Sequence, residues 1–391
     1  MTSAGDRRAE RSLPRPQLLR QLSDRAIFDA IITSGASTRA ELATVTGISK
    51  PTVSQSIRRL EDAGLVVVSG TQSGRRGRVG TYYDIGVGAG IVLAVELDQA
   101  GIVVRTLDLA GRVLEDTAYP PTAVGDDRAL ASGLRNAIAD ARKISGGKVD
   151  ILAAGISVAN PVDPATGRVV TMPDSPFPEG IIQPVEILGD LVAGPVLVDN
   201  DVNLAALAER YDGAAVDADS FAYLYLGAGL GGAVCIGDDL IRGAHGLAGE
   251  LGYLPAPGAS GANETLAQRL ARASTGPASP PAVDVDQVSG LLDSRSGRKR
   301  AATISRLTAS AAHAAVALIA SVDPALVLLG GPLGAHPALL EPFREHLATL
   351  WPQPVRVEVS TLGRGAALHG ATQVALNAAR RAGLDQVGPA H

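Results

Sequence analysis

Residues 196–210 read VLVDNDVNLAALAER, an apolar run that passes without a loop into a helical pattern. Asp199, Asn200 and Asp201 sit at the junction, and Asp and Asn are favoured where a helix begins. A buried strand feeding directly into a helix is the unit from which helix-covered sheets are built. The same grammar extends outward. On the N-terminal side lie ILAAGISVANPVD (151–163) and, further up, AGIVLAVELDQAGIVVRTLDLAGRVLEDT (89–117), two apolar β runs, a turn and a third strand beginning near Arg112. On the C-terminal side FAYLYLGAGLGGAVCIGDDLIRGAHGLAGELGYL (221–254) gives a strand, a glycine turn and another strand. PALVLLGGPLG (324–334) then falls between helical patterns at 300–321 and 337–350. Strands alternating with helices over roughly 290 residues predict a large α/β body, two-lobed with a cleft.

Composition fits that body and bounds the rest. Hydrophobic residues make up 46% of the 391 and aromatics only 3%, so the core must be built from Ala, Val, Leu and Ile. A single cysteine, Cys235, excludes an intramolecular disulfide and a thiolate zinc cage, and within AVCIG it reads as a small core residue. No uninterrupted apolar run of about 20 residues is present, which argues against a membrane partner. The opening MTSAGDRRAERSLPRPQ lacks the apolar segment of a signal peptide, so a cytoplasmic location is expected. Net charge is −5, yet residues 1–85 hold 13 Lys and Arg against 8 Asp and Glu, leaving −10 for the remainder. A basic head on an acidic body is the asymmetry of a chain whose small domain sits on phosphates.

The head has its own pattern. Residues 1–22 form an extension, 23–85 the head, 86–384 the body and 385–391 a tail. SDRAIFDAIITSG (23–35) sets Ile27, Ile31 and Ile32 on one helical face and stops at Gly35. Thr38-x-x-Glu41 is a capping box opening a short helix to Thr46. Gly47 supplies a turn, Ser49 caps a third helix, and Pro51 fits its first turn. Val53, Ile57 and Leu60 face inward, leaving Lys50, Thr52, Ser54, Gln55, Arg58 and Arg59 on the outer face. A helix of that kind suits a DNA major groove. LVVVS and TYYDI then read as strands joined by GTQSGRRGRVG, a wing whose Arg75, Arg76 and Arg78 suit phosphates or an A·T-rich minor groove. Three helices and an arginine wing in this order predict a winged helix-turn-helix contacting double-stranded DNA.

AGISVANPVD, VDNDVNLAALAE, GAGLGGAV, GLAGELGYL, VDPALVLLGGPLG and the Ser360–Ala371 pattern SxLGxxAxxxGA occur in an order and spacing that resemble the ROK family of repressors, open-reading-frame proteins and sugar kinases. The resemblance implies an actin-like ATPase (ribonuclease H-like) body, and, because a winged helix precedes it, a homo-oligomeric transcription regulator answering to a sugar or sugar derivative. It also aligns Asn200 with a sugar-hydroxyl ligand, Asp201 with the kinases' catalytic base, and Glu250, Tyr253 and Glu264 with sugar contacts. A carboxylate–amide pair at a strand end can bind vicinal hydroxyls; Asn200 and Asp201 can equally be helix caps, and Glu264 a plain helix-start residue.

Departures from the family pattern shape the functional expectation. Glu96-Leu97-Asp98-Gln99-Ala100-Gly101 replaces the phosphate hairpin Asp-x-Gly-Gly-Thr-Lys, putting carboxylates where backbone amides should approach phosphate. Gly227-Ala228-Gly229-Leu230-Gly231 keeps the second hairpin's glycines but loses its threonine, and Gly330-Gly331 matches the adenosine-side turn. Tyr253 stands at the zinc histidine, and Pro-Ala-Pro-Gly-Ala-Ser-Gly-Ala at the zinc cysteines. Neither zinc nor ATP is therefore expected, nor catalysis. The stretch 272–299 reads as a surface insertion with one short helix near Val285–Leu292. Two alternatives stay open: a sugar kinase with an accessory DNA-binding head, and a regulator whose body only dimerises.

Overall fold

The computed structural model describes residues 16–73, 79–98, 101–121, 126–144, 149–172, 182–257, 264–272 and 282–387. The chain divides into two compact units.

The first unit holds the predicted head: α1 (Pro16–Ser34), β1 (Ser37–Thr38), α2 (Arg39–Thr46), α3 (Lys50–Asp62), β2 (Val66–Ser73) and β3 (Val79–Ile85). Helix α1 starts at Pro16, ahead of the Ser23 start expected from periodicity. The capping box at α2 forms as predicted, Thr38 accepting from the Glu41 amide while Glu41 accepts from the Thr38 amide. Gly47 takes φ 69° between α2 and α3, a turn conformation that a Cβ disfavours. Ile27, Phe28 and Ile31 of α1 and Val53, Ile57 and Leu60 of α3 are wholly buried, and with buried Leu42 of α2 they form the core of the three helices. The strands form a three-stranded sheet in the order β1-β3-β2, with a bulge between Val68 and Gly70 on the antiparallel β2–β3 hairpin.

Two distant stretches complete this unit, Asp108–Arg112 and Ala378–His391. Arg112 bridges Asp84 at 3.0 Å and Asp108 at 2.7 Å. Arg380 donates to the carbonyls of Leu109 and Ala110 at 3.0 and 2.9 Å, and Gly383 lies against Leu65. The head is thus closed by chain from two later parts of the sequence.

The second unit contains β4 (Ile91–Asp98), β5 (Gly101–Asp108), β6 (Val113–Tyr119), α4 (Asp127–Ile144), β7 (Ile151–Val158), α5 (Pro184–Leu188), β8 (Val196–Asn200) and α6 (Asp201–Asp212). It continues with β9 (Ser220–Leu226), β10 (Leu230–Ile236), β11 (Asp239–Leu240), α7 (Leu266–Ala271), α8 (Val285–Asp293), α9 (Arg298–Val322), β12 (Leu326–Gly330), α10 (Gly331–Gly334), α11 (Pro337–Leu350), β13 (Val357–Val359) and α12 (Ala366–Asp385), whose last turns belong to the first unit. Its two five-stranded sheets run β6-β5-β4-β7-β8 and β11-β10-β9-β12-β13. Each has the order third, second, first, fourth, fifth, so one βββαβ-type plan is used twice. The sequence reading had the strands but not this repetition, because turn lengths and side chains differ between the halves while the hydrogen-bonded order does not.

Helix α9 is long and apolar enough by composition to cross a membrane, but 61% of that stretch is buried inside the fold. It packs in the core of the second sheet with Leu307, Ala311, Ala315 and Ile319. The same core takes Val288 and Leu292 of α8. The short helix expected near Val285–Leu292 forms as α8 (Val285–Asp293), but the expectation that 272–299 is a surface insertion is corrected: apolar spacing places one face of α8 inside, and α9 already begins at Arg298. Residues 273–281 lie outside the described residues.

Candidate nucleic-acid interface and ligand cavity

Helix α3 is built for presentation. Ser49 caps it, its Oγ accepting from the Thr52 amide at 3.4 Å and lying 2.8 Å from the Thr52 hydroxyl. Lys50, Gln55 and Arg58 are exposed, while Thr52 and Ser54 are half-buried. Arg59 is not on that face. Its side chain is 8% exposed and closes a fork on Asp24, Nε to Oδ2 at 2.9 Å, with Nη2 also donating to Ser56 at 3.0 Å. The sequence assignment of Arg59 to DNA is corrected: it clamps α3 to α1. The cause is helical geometry, since Arg59 stands three residues from buried Ser56 and next to buried Leu60. The wing strands form as predicted; Arg75, Arg76 and Arg78 lie outside the described residues.

One hollow of the body, about 180 Å³, gathers four of the predicted sugar residues: Asn200, Asp201, Glu250 and Tyr253. Asn200 caps α6, its Oδ1 accepting from the amides of Val202 and Asn203 and its Nδ2 donating to the Asn160 carbonyl at 3.3 Å. The capping role is thus real, and the residue still lines the cavity. Asp199 below it accepts from the Asn203 side chain at 2.9 Å and from Arg242 at 2.8 Å, tying β8 to the loop that carries Glu250. That loop can approach closely because Gly249, at φ 92°, packs onto the Gly232 carbonyl. Tyr253 is 44% exposed, at the edge of the site.

Glu264 does not join them. It pairs with Arg269 at 3.6 Å and Arg272 at 2.9 Å and is not among the lining residues, so its assignment as a sugar contact is corrected. Thr265 and Gln268, one step further on, line the cavity instead. Their Thr-x-x-Gln capping box was a sequence signal that could have found them. Asn160, Met172 and Tyr225 were also missed, though Asn160 and Tyr225 stand in motifs already quoted. Cys235 is buried in β10, its thiol pushed up to about 12 by burial.

Burial alone pushes the Glu250 carboxyl up to about 7 from an ordinary 4.5. A raised carboxyl favours the folded state below its unfolded value, and that contribution is lost as pH rises through the folded one. Stability should therefore fall between these two values, and Glu250→Gln should flatten the fall. Urea midpoints of the two proteins at about pH 5 and pH 8 measure this. An equal pH dependence in both would remove Glu250 as its source.

A second hollow of about 510 Å³ shares Ala159, Asp201 and Tyr225 with the first. Glu96 and Asp98 line it where the family's phosphate hairpin would stand, and burial with the neighbouring charges of Asp98 and Asp201 pushes Glu96 up to about 7. On the side of the adenosine turn, the Gly331 amide donates to the buried Tyr223 hydroxyl at 3.1 Å.

A three-helix winged head and a body of two like sheets with a polar cavity at a strand end define the class: a winged helix-turn-helix joined to a sugar-kinase-like domain. Comparison with known proteins agrees. Residues 92–378 match the ROK family and residues 21–77 the MarR family of winged helices. The chain belongs to the ROK family. It is similar to the xylose repressor of Caldicellulosiruptor bescii, 26% identical over 241 residues that cover 60% of this chain and 59% of the repressor. The alignment thus spans about three fifths of that relative's length. The crystal structure of a ROK family transcriptional regulator, a homologue of the E. coli MLC protein, superposes with a TM-score of 0.67 at 20% identity, covering 94% of this chain and 98% of that one. The ROK hexokinase of Thermus thermophilus matches at TM-score 0.55 and 29% identity, covering 73% of this chain and 98% of the hexokinase.

Proposed function

We propose that the protein is a DNA-binding transcription regulator, acting as a repressor, whose operator affinity is set by a sugar or sugar derivative in the 180 Å³ cavity. The observation that carries it is α3: capped at Ser49, pinned at Arg59, and exposing Lys50, Gln55 and Arg58 to solvent. Gln can read adenine bidentately, and Lys and Arg read guanine or hold phosphate. Arg75, Arg76 and Arg78 of the wing would add backbone contacts, and two heads of a homo-oligomer would occupy two half-sites. The repressor named above supports the sugar-linked reading. Ligand binding would alter DNA affinity by its difference in affinity for the two states of the protein.

The test is selection of genomic fragments by the full chain, followed by titration at several salt concentrations with and without sugars. Gln55→Ala should change which fragments are preferred, and Arg58→Ala should weaken the selected ones. No binding to duplex DNA at low salt under any sugar condition would end the proposal.

We propose further that kinase activity is lost. A nucleotide would meet Glu96 and Asp98 where it needs donors, and its triphosphate would be repelled. The competing reading, a kinase with an accessory head, is favoured by Asp201, which lines both cavities as a base between sugar and phosphate must. Phosphate transfer from ATP to any sugar, abolished in Asp201→Asn, would establish it instead.

A further inference from the structure

The 510 Å³ cavity has a chemistry of its own. Among the described residues, five acidic ones line it, Glu96, Asp98, Asp201, Asp284 and Asp286, against one cation, Arg364; the Asp284 carboxylate also caps α8, accepting from the Gln287 amide at 2.9 Å, and that of Asp286 is largely exposed. That arginine stands 3.8 Å from Asp286 and 3.5 Å from the Ser289 hydroxyl, at one side of the group. Arg105, the cation that acts on Glu96 from the sheet, is itself forked on Asp116 at 2.7 and 2.9 Å and is not part of the lining.

An independent observation singles out the same place. Ser157, at the end of β7, is wholly buried and lines this cavity, and its Oγ has no hydrogen-bond partner among the described residues. A buried hydroxyl without a partner is costly, so the polar group that satisfies it should come from whatever fills the space. Leu97, Val283, Val285 and Pro332 add an apolar wall, beside Tyr223 and Tyr225. Carboxylates, one free acceptor hydroxyl and apolar walls together match a ligand with a cationic N–H donor head and a short hydrocarbon body.

We propose that this cavity binds a protonated aliphatic amine, its ammonium group donating to Glu96, Asp201 and the Ser157 hydroxyl and its methylenes lying on the apolar wall. A bare metal ion is a poorer match, because among the described residues no three His, Cys, Asp or Glu side chains gather closely enough to hold one. The space is also far larger than an ion requires. The proposal is tested separately from the sugar reading, although the two cavities share Ala159, Asp201 and Tyr225. It also has an electrostatic consequence. Glu96, pushed up to about 7 by burial, Asp98 and Asp201, holds its proton more firmly than an ordinary carboxyl and must ionise beside an ammonium. Amine binding should therefore release protons near neutral pH.

The experiment is isothermal titration of the full-length protein with 1,4-diaminobutane and n-butylamine at constant ionic strength, in two buffers of different ionisation enthalpy. Binding is expected, with a heat that differs between the buffers by the released proton. Asp98→Asn, at an exposed side chain whose loss leaves the core intact, and Glu96→Gln should each weaken it about tenfold or more. Glu345→Gln, an equal charge loss on exposed α11 surface, should leave it unchanged. Tetramethylammonium, which has no N–H to donate, should fail to bind. Equal binding of tetramethylammonium, equal weakening by Glu345→Gln, or binding of Mg–ATP in place of the amines would each overturn the proposal.

Discussion

Arg59→Ala is expected to unfold the head, whereas Arg58→Ala, its neighbour, is expected to lower DNA affinity and leave stability almost untouched. Arg59 and Asp24 are both nearly excluded from water, with side chains 8% and 6% exposed. Removing the guanidinium leaves a buried carboxylate without its partner, which typically costs about 3–5 kcal/mol. Ser56 loses a donor at the same stroke. A domain has only about 5–15 kcal/mol to lose, so a small head surrenders a large part of its margin. Arg58 is exposed and no ion pair of the described residues involves it, and surface substitutions of this kind usually stay within about 0.5 kcal/mol. Denaturation followed by far-ultraviolet circular dichroism, beside a DNA titration, separates the two. If Arg59→Ala melts like the parent yet binds DNA poorly, Arg59 belongs to the interface after all. Replacing both partners, Arg59 with Met and Asp24 with Leu, should recover much of the stability, since a buried pair is often dispensable when it is removed whole.

The second large effect is expected at Gly249→Ala. Its backbone is left-handed at φ 92°, and a Cβ would stand 1.8 Å from the Gly232 carbonyl oxygen. That separation is impossible, and neither atom belongs to a flexible side chain. The Gly232 amide donates to the Gly249 carbonyl at 2.9 Å, so the contact cannot open without giving up a hydrogen bond. The loop must leave β10, taking Glu250 out of the cavity wall. Thermal unfolding across a sugar panel should show a lowered midpoint and no ligand-induced rise, where the parent rises by mass action. A variant with an unchanged midpoint and an unchanged response would refute the close approach.

How much of this was legible beforehand depends on the range of the interaction. Local rules carried the head: a capping box, a serine cap and a proline in the first turn act within four residues, and all of them formed. Local rules failed at Arg59, since periodicity placed it near the border of the polar face and only Asp24, 35 positions away, decided the matter. In the body, motif order identified Asn200, Asp201 and Glu250, each fixed by the turn it occupies. Glu264 was lost to Arg269 and Arg272, whose reach along a short helix no spacing rule anticipates. The doubled sheet order and the acidic character of the second cavity arise from strands far apart in the chain. Glu96 and Asp98 were seen to be wrong for phosphate, but that Asp284 and Asp286 join them is a property of the folded chain alone.

The clasp on the head has a consequence for what can be exchanged between relatives. Asp84 leans on Arg112, and Leu65 on Gly383. A piece cut after β3 would carry every residue proposed to face DNA and yet leave these two anchors behind. Heads of this build are poor interchangeable parts: grafted onto a foreign body, one should hold its shape only if the host supplies an equivalent hairpin tip and helix end.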